Sequence, residues 1–162
     1  MSIMATHAFS MNGRLWAELR ESNDSGSAEI ARMLHRLDGI ERFSFILWRL
    51  PEGRPLDQTS PETEATEYMQ SAGSFREMTV EVRRIGESGP EHLVVGRPRN
   101  WVDDPDEPVT ITWSEHEVVV ARHEVFTADA ATPLFAAYYK TGSVLPPYSL
   151  RPLRDNEVGS QG

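Results

Sequence analysis

Two stretches near the N-terminus have apolar residues at helical spacing. In "GRLWAELRE", Leu15 and Leu19 are four positions apart, and this spacing predicts a first helix. In "SAEIARMLHRLDG", the apolar positions recur every three or four residues, at Ile30, Met33, Leu34 and Leu37. Ser27 is placed to cap this second helix and Gly39 to follow its end. The chain is therefore predicted to begin with two helices.

From residue 43 onward the apolar period changes to two, which is typical of strands. "FSFILWRL" is apolar on both faces and predicts an interior strand that is covered on both sides. "MTVEVRR" alternates apolar and polar positions, and the turn-like "GESGP" connects it to "HLVVG". "VTITW" and "VVVAR" flank the short polar connection "SEHE". These patterns predict two successive hairpins of an antiparallel meander.

The stretch between these strands, "SPETEATEYMQSAG", carries conflicting signals. Ser60 as N-cap, Pro61 at the first helical position and Gly73 as a stop are typical of a helix. The second half, "EYMQSAG", is also compatible with a strand that turns into the one at Met78. The pattern alone leaves residues 61–72 open between helix and strand.

The segment "EVFTADAATPLFAAYYKTGSVLPPYSLR" predicts a capped helix and a last short strand. Thr127 is placed to cap the helix, and Gly142 to end it in the left-handed conformation. The buried stripe is predicted to comprise Ala131, Leu134, Phe135 and Tyr138. Pro133 leaves two alternatives: a kink at that point, or a later start with Thr132 as the cap. "YSLR" follows two prolines and predicts the final strand.

These elements predict an α+β fold. Its antiparallel meander sheet has N-terminal helices and a C-terminal helix followed by a short last strand. With 162 residues, 39% of them hydrophobic, the chain is predicted to form one domain over residues 1–154. The polar residues 155–162 are predicted to be a disordered tail.

Composition excludes several classes of function. The chain has no cysteine, so disulfides, thiolate metal sites and a cysteine nucleophile are excluded. Its net charge of −9 argues against generic nucleic-acid binding and permits a basic protein partner. No signal peptide or membrane span is apparent, which predicts a cytoplasmic protein with no membrane partner. Lys140 is the only lysine, and this arginine bias is typical of high-GC genomes such as those of actinobacteria.

Motifs for chemistry are sparse. "HEVVVARHEV" contains two His-Glu pairs, but His116 and His123 are seven residues apart, and a continuous strand would point them to opposite faces. We therefore predict no metal site, and no nucleotide-binding motif points to a cofactor. Carboxylates in this stretch remain the candidates for a small enzyme that uses Asp, Glu and His.

The loop "RPRNWVDDPDEPV" is the strongest candidate for recognition. It combines one aromatic residue with four acids between prolines, namely Trp101, Asp103, Asp104, Asp106 and Glu107. Aromatic side chains tend to carry interface energy, and acids steer a basic partner. The alternative is that Trp101 covers the core and the acids form a solvated turn.

The C-terminal half resembles a bacterial family, the first numbered family of polymorphic-toxin immunity proteins. The resemblance rests on "EYMQSAG", "MTVEVRR", "HLVVGRP" and the ending "TGSVLPPYSLR", and it covers residues 68–151. This chain departs from the family pattern where a Trp-containing last strand is replaced by Tyr148 and Leu150, and at Pro133. The resemblance favours a strand from Tyr68. It implies a non-catalytic protein that occludes the active site of a cognate toxin; a regulatory or scaffold binding module is the alternative.

Overall fold

The computed structural model describes residues 4–20, 26–98 and 107–153. The strands are β1 (His7–Met11), β2 (Leu15–Glu18), β3 (Ser44–Arg49), β4 (Tyr68–Gly73), β5 (Met78–Gly86), β6 (Gly89–Gly96), β7 (Pro108–Trp113), β8 (His116–Ala121) and β9 (Ser149–Pro152). The α-helices are α1 (Ser27–His35), α2 (Pro61–Glu64) and α3 (Ala128–Thr141). Short 3-10 turns lie at Leu56–Gln58 and Arg122–Glu124.

Seven strands form one antiparallel sheet in the order β2-β1-β3-β4-β5-β6-β9. The remaining two strands, β7 and β8, pair with each other as a separate hairpin. β3 lies in the interior of the large sheet, as its two apolar faces predicted. The structure therefore has the predicted α+β class and antiparallel sheet. Both predicted hairpins are present, but the second, β7–β8, is separate from the large sheet, so its prediction as part of one meander is wrong.

The prediction of a helix around Leu15 is wrong, because this segment is a strand. β1 and β2 form a hairpin in which Met11 pairs with Leu15. Asn12 and Gly13 both adopt positive φ, of 63° and 71°, at the turn between them. Asn-Gly is a strong hairpin signal. It outweighs a helical pattern that rests on only two residues, Leu15 and Leu19. The N-terminal part of the fold thus contributes a hairpin and one helix instead of two helices.

The second predicted helix is present as α1, and all four residues of its predicted stripe are buried. Gly26, in the left-handed conformation, occupies the N-cap position, so Ser27 is the first helical residue and not the cap. The helix ends at His35, before Gly39. α1 packs beside α3, and both helices cover one face of the large sheet, where Phe45 meets Phe135 at 5.3 Å between ring centroids.

α3 has the predicted ends. The hydroxyl oxygen of Thr127 accepts the N–H of Ala130 at 3.1 Å. Gly142 adopts the left-handed conformation and donates its N–H to the carbonyl of Tyr138. The helix continues through Pro133, so the alternative in which Thr132 caps a later start is wrong; the Thr132 hydroxyl donates to the carbonyl of Ala128 instead.

The open stretch 61–72 divides into two elements. Ser60 and Pro61 begin only the short α2, and the strand preferred from Tyr68 is confirmed as β4. On the sheet face away from α1 and α3, the apolar side of the β7–β8 hairpin covers Ala72 with Ile111, Trp113 and Val120. A third cluster surrounds Trp48 nearer the β1 side of the sheet.

Candidate functional site

The predicted recognition loop is only partly described. Trp101, Asp103, Asp104 and Asp106 lie outside the described residues. Glu107 is described and exposed, and its carboxylate lies 3.5 Å from the guanidinium of Arg122. The carbonyl of Glu107 also accepts the backbone N–H of Arg122 at 3.0 Å. The C-terminal end of the loop is therefore fixed to Arg122.

The N-terminal end of the loop is held by the same short segment. Arg97 donates its backbone N–H to the carbonyl of His123 at 2.6 Å. Its side chain donates to the carbonyl of Val125 at 2.8 Å and to that of Arg122 at 3.0 Å. Both flanks of residues 98–106 are thus bonded to one 3-10 turn. We call Arg97, Glu107 and Arg122–Val125 the loop base.

A buried ion pair between Glu124 and Arg151 anchors the loop base to the large sheet. Glu124 is only 1% exposed, and its carboxylate accepts both Nε (2.7 Å) and Nη2 (3.0 Å) of Arg151. One of its oxygens also accepts the N–H of Ala121 at 3.0 Å. Bidentate, charge-assisted contacts of this type fix orientation as well as adding stability. The pair connects the loop base to β9 and thereby to the large sheet.

Close packing at Gly96 brings the loop base onto the sheet. A Cβ atom at this position would clash with its neighbours, lying 2.3 Å from the Ser149 hydroxyl oxygen and 2.4 Å from Cδ2 of His123. Any other residue here would force the side chains of Ser149 and His123 to move aside. Gly96, the last residue of β6, therefore allows the 3-10 turn at Arg122–Glu124 to pack closely against the strand that leads into the loop.

The β7–β8 hairpin extends from the loop base. One side of it is apolar and packed against the large sheet. The other side is exposed and carries Thr110, Thr112, Glu117 and Val119. Glu107 lies directly before β7, and Glu115 lies in the turn at the opposite end. The hairpin thus provides an exposed, acidic ribbon that is continuous with the predicted recognition loop.

A second polar group lies on the large sheet itself. His92 Nε2 and a carboxylate oxygen of Glu81 are 2.5 Å apart, and both side chains are largely buried. The ring of Tyr68 approaches His92 edge-on, with centroids 6.4 Å apart. Burial raises the pKa of the Tyr68 phenol, and the charge of Arg83 opposes that effect. A Glu–His pair of this geometry orients the imidazole and is the feature that a proton-transfer function would use.

Sequence reasoning missed both pairs. Glu81 and His92 are 11 positions apart on neighbouring strands, and Glu124 and Arg151 are 27 apart. The strand alternation that places Glu81 on the face opposite Val80 and Val82 was visible in the sequence, but the pairing of β5 with β6 decides which side chain Glu81 meets. Glu124 belonged to a His-Glu pair considered for metal binding, and its buried partner is an arginine instead.

The histidines of that motif lie at opposite ends of β8. His116 begins the strand beside Trp113, with ring centroids 6.1 Å apart, whereas His123 follows it in the loop base. Across residues 4–20, 26–98 and 107–153, no three His, Asp or Glu side chains are grouped so that they could hold a metal ion.

No protein-family model matches the sequence, and no curated protein matches it either. In the described part of the chain, no helix has both the length and the apolar character needed to cross a lipid bilayer.

Proposed function

We propose that the protein is a non-catalytic immunity protein that binds a cognate bacterial toxin and occludes its active site in the cytoplasm. The observation that carries the proposal is the loop base, which holds both ends of an acidic, tryptophan-bearing loop on one turn. Binding loops on a rigid scaffold lose less entropy when they engage a partner. The resemblance to immunity proteins supports the same function, since strands, capped helix and short last strand occur here in the order it implies.

The mechanism would be steric and electrostatic. Asp103, Asp104, Asp106 and Glu107 would face a basic cleft in the toxin and accelerate association. Trp101 would be the buried anchor that slows dissociation. The exposed side of the β7–β8 hairpin would extend the contact from Glu107 along Thr112 and Glu117. No step in this mechanism requires a cofactor or metal.

Two other functions are alternatives to this one. A regulatory or scaffold module would use the same loop against a partner that is not a toxin. The Glu81–His92 pair favours a small enzyme as the second candidate, since an oriented imidazole can transfer protons. Substitution Glu81→Gln separates the two classes, because it should abolish an enzyme activity and leave binding through the loop intact.

The test is co-expression with the toxin candidates encoded beside the gene, followed by purification and measurement of binding kinetics. We expect a 1:1 complex and growth protection. Trp101→Ala should weaken affinity about 30-fold or more through faster dissociation. The double substitution Asp103→Asn and Asp104→Asn should slow association and reduce its salt dependence.

The matched control is Glu62→Gln, which removes one exposed acid from α2, outside the loop base. It should leave both rate constants close to those of the unaltered protein. The proposal is wrong if no neighbouring toxin is bound or neutralised. If a toxin is bound equally well by the Trp101 and Asp103/Asp104 variants, the function stands and the assignment of the loop is wrong.

A further inference from the structure

A cleft of about 630 Å³ lies at one end of the large sheet, where α3 ends. Its walls come from the end of β3, residues 63–67, the end of β5 and the residues that follow Tyr138. None of its lining residues belongs to the loop base. The volume falls within the range of pockets that hold small organic molecules.

Three arginines line this cleft, namely Arg49, Arg83 and Arg84. Arg83 uses Nε to donate to the carbonyl of Thr66 at 2.9 Å, which leaves both terminal amino groups of its guanidinium for another acceptor. Arg84 is paired with Glu91 at 2.8 Å. Arg49 is exposed, and within the part of the chain that the structure describes its side chain has neither an ion pair nor a hydrogen bond.

The acids of the cleft already have partners. Glu64 accepts from Arg54 at 2.7 Å and from the N–H of Ser60 at 2.7 Å. The Arg54 hydrogen bond, followed by that of Ser60, lowers the pKa of Glu64 and keeps it ionised in this pairing. Glu67 accepts the N–H of Ile85 at 3.0 Å. Glu67 has no ion-pair partner among the described residues, so the charges of Arg49 and Arg83 stand against one carboxylate and leave the cleft with a net positive charge for a ligand.

Neutral groups complete the cleft. Tyr138 is almost fully buried, and burial, with a further effect of the Glu67 charge, raises the pKa of its phenol to about 12. The phenol is therefore a neutral hydrogen-bond donor throughout the physiological range. Leu50, Pro51 and Val144 add apolar surface. A cleft with guanidinium donors and apolar walls suits a ligand that has both an anionic group and an apolar group.

We propose that this cleft binds an organic oxyanion, that is, a carboxylate or phosphate group joined to an apolar group. The guanidinium groups of Arg49 and Arg83 would hold the oxyanion, since a planar fork of donors matches its oxygens. Leu50, Pro51 and Val144 would contact the apolar group. The net charge of −9 does not prevent this, because salt screens charges more than about 8 Å away.

The experiment is a titration of the ¹⁵N-labelled full chain with phenyl phosphate, benzoate and inorganic phosphate, followed by two-dimensional NMR. We expect saturable shifts of amides around the cleft, such as those of Thr66, Thr141 and Gly142. Phenyl phosphate should bind more tightly than inorganic phosphate because only it can contact the apolar wall. The benzoate arm shows whether a carboxylate serves as well as a phosphate.

Arg49→Ala should weaken the binding of phenyl phosphate about tenfold, as expected for the loss of a charged hydrogen-bond partner. Arg36→Ala removes another exposed arginine, at the end of α1 and outside the cleft, and should change the affinity less than twofold. The inference is overturned if shifts do not saturate, if they map elsewhere, or if both variants bind equally well. Equal affinity for the two phosphates would overturn the assignment of the apolar wall. The measurement needs no toxin, so its outcome is separate from that of the proposed function.

Discussion

Gly73 shows how a single position determines the connection between two strands. It adopts a φ of +131° at the end of β4, a conformation that L side chains rarely take. A Cβ atom there would lie 2.3 Å from the carbonyl oxygen of Glu77 and 2.9 Å from Cα of Met78. The turn into β5 therefore needs both the backbone freedom and the empty space of glycine.

We expect Gly73→Ala to destabilise the protein by roughly 3 kcal/mol or more, through backbone strain and a clash with main-chain atoms that cannot move aside. Gly89→Ala is the matched control. It has a φ of +116° with no atom within 4 Å of the added Cβ, so only the strain of about 1–2 kcal/mol applies. Urea unfolding of both variants measures the difference. Equal losses of unfolding free energy would show that the close approach at Glu77 has no energetic consequence.

At the scale of elements, α3 contains one residue that is unfavourable inside a helix, Pro133. Pro133 lies inside the helix on its exposed side, where it cannot donate a hydrogen bond to the carbonyl of Asp129. The buried stripe of Leu134, Phe135 and Tyr138 outweighs this loss and keeps the helix continuous. Tertiary packing commonly overrides local propensity in this way.

We expect Pro133→Ala to raise the free energy of unfolding by about 1–3 kcal/mol, because the new N–H can complete the helical ladder and no buried contact is lost. Pro61→Ala is the control. Pro61 is the first residue of α2, where an N–H has no helical acceptor, so no gain is expected there. Thermal and urea unfolding check both variants. A Pro133→Ala protein no more stable than the unaltered chain would contradict the argument.

The elements that were predictable have determinants close together in the chain. Thr127 and Gly142 mark the ends of α3 by their own side-chain and backbone chemistry, and alternation marks β5. The β1–β2 hairpin was mispredicted since Leu15 and Leu19 have helical spacing by chance. Leu15 is in fact 84% exposed, while Leu19 is buried. The Asn-Gly turn and the pairing of β1 with β3 decide that region, and the second of these depends on residues over 30 positions away.

The candidate site was predictable only in part for the same reason. The composition of residues 100–107 pointed to a recognition loop, and Glu107 was named from it. The loop base depends on Arg97 meeting Arg122, and its support depends on Glu124 meeting Arg151. These contacts join segments 25 and 27 positions apart, and a sequence pattern does not specify which segments become neighbours.

At the scale of the whole molecule, charge is distributed unevenly. The chain carries 25 acidic and 16 basic residues, yet the cleft at the end of α3 presents arginines whose charges are not all compensated. The acidic loop belongs to the β6–β7 connection, and the cleft shares no lining residue with the loop base. A basic protein partner and a small oxyanion would therefore use different surfaces of one fold.

Tyr138 connects this cleft to the stability of the whole protein. Its pKa in the folded state is raised from 10.0 to about 12, chiefly by burial. The unfolded chain releases this proton near pH 10, whereas the folded protein keeps it until about pH 12. Stability from this group is therefore fully present below pH 10 and is lost as the pH rises to 12.

We expect the free energy of unfolding to fall by about 2 kcal/mol more for the unaltered protein than for Tyr138→Phe between pH 10 and pH 12. Phenylalanine keeps the ring packed and has no proton to lose, so any constant effect of the lost hydroxyl appears equally at every pH. Urea unfolding followed by tryptophan fluorescence at pH 9, 10.5 and 12 measures the difference. Parallel curves for the two proteins would mean that the phenol is as well hydrated in the folded state as in the unfolded chain, which would contradict its burial beside the cleft.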